Sequence, residues 1–243
     1  MRPVRATATR NGTSDQADSE GTSAIPVAQR RAGTDESGKG DYFGPLVIAA
    51  VAADFVAAAR LSDWGVTDSK KLSDGRAQAL ARQIVQAKIP HTIVAIGPEK
   101  YNELHGRMKN LNRLLAWGHA RAIENLLEIT PVELVIADQF GDAALIEKAL
   151  FAKGRSVRLV QMPQGERDVV VAAASVMARA DFLRRLKALS QATGVDLPKG
   201  AGPPVDDAAA RIIARFGVEK LTGLAKCHFK NTAKAQSLAA GRR

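Results

Sequence analysis

The chain has 243 residues, 46% of them hydrophobic, enough for one large domain or two small ones around a substantial core. No run approaches the roughly 18 apolar residues of a membrane-spanning helix, no apolar run follows Arg2 and Arg5 as in a secretory signal, and Cys227, the only cysteine, excludes an intramolecular disulfide and fits a reducing cytoplasm. With 35 Lys and Arg against 25 Asp and Glu, the net charge of +10 makes a polyanion, most simply nucleic acid, the expected partner.

Residues 1–24 are rich in Ser, Thr, Asp, Gly and Arg and almost lack large apolar side chains, so they read as a disordered tail. Residues 25–243 then form the folded domain. Ile25 to Thr34 leads into a polar, glycine-rich turn, and Leu46 to Val51 is a continuous apolar run with the pattern of a buried strand. Ser73 or Asp74 caps a helix to about Lys88, His91 to Ile96 alternates like a strand, and Pro98 opens a further helix. Apolar residues recur at helical spacing from Leu111 to Leu127, and Pro131 stops that helix. Val132 to Ala137 is an apolar strand ending in Asp138. A helix over about 143–152 and a strand at Val157 to Met162 follow. Asp168 to Leu189 reads as a helix carrying the small-residue run Ala172-Ala173-Ala174-Ser175, which permits close backbone approach. Gly194 to Pro204 is a loop, and Asp207 to Phe216 is a short helix. This order gives an α/β domain with a central, mostly buried sheet.

The richest segment runs from Gly33 to Pro45. Gly33, Gly38 and Lys39 fall at P-loop spacing, but Gly40 stands where a magnesium-binding Ser or Thr is needed. Asp35 and Glu36 would also set two negative charges against phosphate, and a strand follows where the P-loop requires a helix. A carboxylate site at a strand end fits better. Adjacent strand residues point to opposite faces, so for both acids to serve one site the backbone is expected to leave the strand near Glu36. Asp138 repeats the pattern at the end of a second apolar strand, and functional groups of open α/β sheets gather beyond the strands' carboxyl ends. A third region, Pro163 to Asp168, offers Glu166 and Asp168, although an acid at a helix start also favours the helix dipole. Converging carboxylates repel unless cations neutralise them, and oxygen ligands select magnesium or manganese. Two such ions would suit in-line phosphoryl displacement. A basic protein with such a centre reads as a nuclease.

At these residues the chain resembles the type 2 ribonucleases H, and ribonuclease HIII more closely than HII. The resemblance rests on Asp35-Glu36-Ser37-Gly38-Lys39-Gly40-Asp41-Tyr42-Phe43-Gly44-Pro45, where ribonuclease HII usually has Gly-Arg-Gly. It continues through Asp68-Ser69-Lys70-Lys71-Leu72, Lys100 to Leu104, Asn110-Leu111-Asn112, Ala116-Trp117-Gly118-His119, Asp138-Gln139-Phe140, Ala172 to Arg179, and His228 to Thr232. It implies a ribonuclease H-like fold, a central mixed β-sheet flanked by helices with a C-terminal helical segment. It further implies cleavage of the RNA strand of RNA–DNA hybrids with Mg2+ or Mn2+, two ions in the substrate complex, leaving 5′-phosphate and 3′-hydroxyl ends. Asp35, Glu36, Asp138 and Glu166 become the metal-binding catalytic set. The family's Lys-Ala-Glu context reads Gln164-Gly165-Glu166, and Asp168 two residues on is the alternative; Asp181 falls well down the helix. Gly38, Lys39 and Gly40 match the loop that meets ribose 2′-hydroxyls through its backbone, and Ser69, Lys70 and Lys71 are expected phosphate contacts.

Ribonucleases HIII typically carry an N-terminal domain resembling the TATA-binding protein. Only about two dozen polar residues precede the first strand here, so a catalytic core without that domain is expected, its arginine-bearing tail assisting by counterion release. The expected protein is a cytoplasmic monomer whose partner is the hybrid, with no membrane. The competing readings are ribonuclease HII-like incision at single ribonucleotides in duplex DNA, a noncatalytic hybrid-binding protein and, more distantly, a P-loop phosphotransferase. His119 and Trp117 read as packing or helix-face groups, and Cys227 as an incidental thiol.

Overall fold

A computed structural model describes residues 30–138, 144–150 and 154–241. The expected tail at 1–24, the start of the first strand at 25–29 and the segment Gln139-Phe140-Gly141-Asp142 lie outside the described residues.

Five strands form one mixed sheet: β1 (Arg30–Ser37), β2 (Leu46–Asp54), β3 (His91–Ile96), β4 (Leu134–Asp138) and β5 (Arg158–Met162), in the order β3-β2-β1-β4-β5. β1 runs antiparallel to β2 and parallel to β4; β2 and β3 are antiparallel, β4 and β5 parallel. The eight helices among the described residues are α1 (Phe55–Asp63), α2 (Asp74–Gln86), α3 (Pro98–Met108), α4 (Leu111–Ile129), α5 (Ala144–Ala149), α6 (Val169–Thr193), α7 (Pro203–Phe216) and α8 (Asn231–Ala240). This is the ribonuclease H-like arrangement that the resemblance implies.

The continuous apolar run of β2 is explained by burial on both faces. Val47, Ala49, Val51 and Ala53 join a core with α1, α2, α6, α7 and α8, while Leu46, Ile48, Ala50 and Ala52 join a second core with α3, α4 and α5. Gly33, in the middle of β1, is forced by the first of these contacts. A Cβ there would stand 2.3 Å from the Val171 backbone nitrogen, so only glycine lets α6 lie this close to the strand.

Two sequence expectations are corrected. The chain does not leave the sheet near Glu36: β1 continues to Ser37, held by the β2 ladder through the pairs Asp35–Ala49, Glu36–Ile48 and Ser37–Val47. The loop expected to reach Pro204 ends earlier, because Pro203 and Pro204 open α7, a first turn being where proline's missing N–H costs nothing. α8 lies in the C-terminal helical segment that the resemblance implies, while α1 has no counterpart in the sequence reading; Asp54 starts it by accepting the Ala57 N–H at 2.9 Å. Among the described residues no helix is long and apolar enough to cross a membrane.

Candidate active site

The parallel ladder between β1 and β4 ends at the Thr34–Ala137 pair. Just beyond it, at the carboxyl ends of these strands, a cavity of about 590 Å3 opens, lined by Asp35, Glu36 and Asp138. The same cavity is lined by the turn from Ser37 to Asp41, by Ser69 and Lys70, and by Ser175, Arg179 and Lys199.

Strand alternation sends the two β1 acids to different helices. Asp35 turns toward α6, where the Ser175 hydroxyl donates to it, and its Oδ1 also accepts the Glu36 N–H at 2.8 Å. Ser175 in turn meets the buried Ser69 hydroxyl at 2.7 Å, so the 3-10 turn Ser69–Lys71 is tied to the acid through α6. Burial first, and then the adjacent Glu36 charge, push the Asp35 carboxyl up to about 7, against the two hydrogen bonds and Lys70. Glu36 turns toward α4. Burial would raise it too, but the hydrogen bond and charge of His119, helped by Lys39, hold it well below the usual carboxylate range. His119 Nε2 lies 3.2 Å from Glu36 Oε2, and Lys39 Nζ 3.5 Å from Oε1.

Asp138 closes β4, and its Oδ1 accepts the Gly165 N–H at 3.0 Å. Gly165 passes so close that a Cβ would meet the Asp138 backbone at 3.0 Å. Glu166, next along this turn, lines a second cavity with Asp68 and Lys71 rather than the cavity of Asp35. Asp168 is committed to structure: Oδ1 caps α6 through the Val170 N–H, and Oδ2 pairs with Arg31 at 3.1 Å. Asp181 pairs with Arg184 and Arg185 away from this cavity. The Ser69, Lys70 and Lys71 group is therefore divided, the first two facing Asp35 and the third facing Glu166.

The loop after β1 is held rigidly. Gly38 has φ +88°, and a Cβ there would fall 2.2 Å from the Pro45 carbonyl oxygen, so glycine is required. Gly40 faces open space, leaving its backbone accessible to a ligand. The fully buried Lys226 donates to the Asp41 and Gly44 carbonyls at 2.8 Å each, and burial lowers its ammonium to about 7. Two rim residues were not among the expected site residues, although Arg179 ends the Ala172 to Arg179 motif. Arg179 donates to the Ser69 carbonyl and to Asp74 Oδ1, and Lys199 binds Asp74 Oδ2 at 2.6 Å. Only their helix and loop neighbourhood in three dimensions marks them as rim groups.

Among the described residues no three His, Cys, Asp or Glu side chains stand together as a ready-made metal cluster. The donor chemistry nevertheless fits a hard divalent cation. Asp35, Glu36 and Asp138 all offer carboxylate oxygen to one cavity, and the ionised form of Asp35 is disfavoured there by burial and by Glu36, a cost that a cation would relieve.

Residues 32–232 match the family model of ribonuclease HII. The chain is 44% identical to ribonuclease HIII of Protochlamydia amoebophila over 198 residues, 82% of this chain and 65% of that protein. It is 38% identical to ribonuclease HIII of Bacillus licheniformis over 215 residues, 86% of this chain and 68% of that one. It thus spans about two thirds of the length of these relatives. Among solved structures, Bst-RNase HIII in complex with Mn2+ superposes with a TM-score of 0.83 at 37% identity, covering 90% of this chain and 72% of the other. The ribonuclease H2 of Pyrococcus horikoshii shares the fold, with a TM-score of 0.74 at 23% identity over 87% of this chain and 99% of that one.

Proposed function

The chain belongs to the ribonuclease HII family, on its ribonuclease HIII branch, and from that premise we propose that it hydrolyses the RNA strand of RNA–DNA hybrids. The observation that carries this reading is the cavity itself. Three carboxylates from the ends of β1 and β4 share it with Lys39, Lys70, Arg179 and Lys199, next to a glycine-bearing loop. Negative charge in the floor suits cations, and positive charge on the rim suits phosphates.

Asp35, Glu36 and Asp138 would hold Mg2+ or Mn2+, two ions in the substrate complex, whose chemistry would be to activate a water and stabilise the leaving 3′-oxygen, giving 5′-phosphate and 3′-hydroxyl ends. Glu166 lines the neighbouring cavity with Asp68 and Lys71, and would join the acidic set only by turning toward Asp138 from the turn whose Gly165 N–H holds that residue. Lys70 and Arg179 meet the backbone of the nucleic acid from the α6 side, with Ser69 holding Ser175 toward Asp35. The Gly38-Lys39-Gly40 backbone approaches ribose 2′-hydroxyls, the groups by which a protein distinguishes RNA from DNA. Lys71, which faces the Glu166 cavity, contacts phosphate farther along the strand. The enzyme works in the cytoplasm as a monomer, and its one macromolecular partner is the hybrid.

The test uses two duplexes, one with a long RNA tract and one with a single embedded ribonucleotide, each with Mg2+ and with Mn2+. Cleavage confined to the RNA tract supports the proposal. Efficient incision at the single ribonucleotide would replace it with the ribonuclease HII reaction, and hybrid binding without cleavage would make the chain a noncatalytic binder.

A further inference from the structure

Among the described residues, Glu36 is the one cavity acid whose side chain is held from behind by a buried ring. His119 is 1% exposed, and its Nδ1 lies 2.9 Å from the Thr34 hydroxyl while its Nε2 lies 3.2 Å from Glu36 Oε2. Thr34 and Glu36 are two residues apart on β1 and so share the face toward α4. The Thr34 hydroxyl donates its proton to the Ala49 carbonyl at 2.9 Å, on the partner strand β2, which leaves its oxygen to accept from an Nδ1–H of His119. A carboxylate only accepts, so Nε2 donates to Glu36, and the contacts with Thr34 and Glu36 are both hydrogen bonds when both ring nitrogens carry protons.

The approach of α4 that makes this contact has its own signature. Gly118 sits inside a helix, where glycine costs about 1 kcal/mol relative to alanine. A Cβ on Gly118 would stand 2.6 Å from Ile48 Cδ1 of β2. Ile48 is the residue paired with Glu36 across the ladder. Glycine at 118 thus leaves room for the end of the Ile48 side chain beside the residue that reaches Glu36.

We propose that His119 is a positioning residue, anchored by Thr34, that fixes the Glu36 carboxylate so that it faces a divalent cation in the cavity. This rests on the reading of Glu36 as a cation ligand. Hydrogen bonds to ligating carboxylates preset their orientation, and losing such a partner typically weakens metal binding about 10–100-fold. Lys39 on Oε1 is a salt-bridge partner 40% exposed and displaceable, whereas His119 is enclosed.

The experiment measures Mn2+ binding to the metal-free full chain by calorimetry, without nucleic acid, alongside thermal melting. His119→Leu is expected to bind Mn2+ about 10–100-fold more weakly. His119→Gln, which returns an N–H near the Nε2 position, is expected to recover part of that loss. Thr34→Val, which keeps the shape of the strand but removes the anchor of Nδ1, is expected to lose several-fold, and it carries the test if His119→Leu does not fold. In steady state the same variants raise the Mn2+ concentration needed for half-maximal cleavage more than they lower kcat. Parental Mn2+ affinity in folded His119→Leu or Thr34→Val, or His119→Gln no better than His119→Leu, overturns the proposal. Asp35→Asn separates the two levels. If the parent binds Mn2+ and Asp35→Asn binds it far more weakly, the cavity reading stands whatever His119 does; if the parent binds none, both fail.

Discussion

Asp35 and Glu36 are neighbours in β1, yet Asp35 is bonded to Ser175 of α6 and Glu36 to His119 of α4, on opposite faces of the sheet. Their surroundings drive the two carboxyls apart. Burial and the Glu36 charge raise Asp35 to about 7, while His119 and Lys39 outweigh burial at Glu36 and hold it low. Near neutrality Glu36 is therefore ionised while Asp35 still holds a proton about half the time, and a cation would displace that proton.

Proton and cation compete at Asp35, and the competition sets a pH dependence. The apparent Mn2+ affinity of the free protein is expected to fall about tenfold between pH 8 and pH 6, because below 7 the proton on Asp35 must leave first. Calorimetric titration across this range checks it. A flat affinity would mean that Asp35 is ionised throughout.

The same shift makes Asp35 a liability for the fold. Its folded value lies above the ordinary 3.8, so from about pH 4 to 7 the native state keeps a proton that the unfolded chain has lost. Stability accordingly falls as pH rises through that window. Asp35→Asn is expected to stabilise the metal-free protein by roughly 1–3 kcal/mol at pH 8 and by much less at pH 4. Urea midpoints at the two pH values give the comparison. Equal effects at both would contradict it.

Two glycines of one loop are expected to respond differently to alanine. Gly38→Ala forces a side chain into φ +88° and against the Pro45 carbonyl, costing about 2 kcal/mol or more. Gly40→Ala meets nothing within 4 Å, so stability should stay within about 0.5 kcal/mol. Cleavage should drop in both, since Gly40 lies where the backbone approaches ribose. Full hybrid cleavage by Gly40→Ala would remove that contact from the account.

Glu166 and Asp168 are two residues apart and have separable roles. Asp168→Ala removes the cap of α6 and the partner of Arg31, and should cost about 1–2 kcal/mol of stability. Glu166→Gln should leave melting unchanged and lower cleavage strongly. The reverse pattern would make Asp168 the ligand.

Much of this arrangement is legible in the sequence. The unbroken apolar run at Leu46 to Val51 is a strand buried on both faces, and Val135-Ile136-Ala137-Asp138 does end in an acid at the cavity. The hydrophobic pattern reports burial and period, which fix elements and their ends. It does not report which helix covers which residue. That is why Ser175, His119 and Arg179, present in the motifs, gain their roles only from the packing of α6 and α4, why Lys199 is placed only by its bond to Asp74, and why Lys71 parts from Lys70. The turn at Ser69–Lys71 is too short to carry a period, so its side-chain directions follow from the Asp68 cap and the Ser69–Ser175 bond.

The most direct test of the account is cleavage of a uniform RNA–DNA hybrid by the parent and by Asp138→Asn with Mn2+. Asparagine keeps a carbonyl to accept the Gly165 N–H, so the fold should hold while the ligand charge is lost. The account predicts a rate at least about a hundredfold lower for the variant at unchanged hybrid affinity. Parental cleavage by Asp138→Asn, or no cleavage by the parent with either metal, would contradict it.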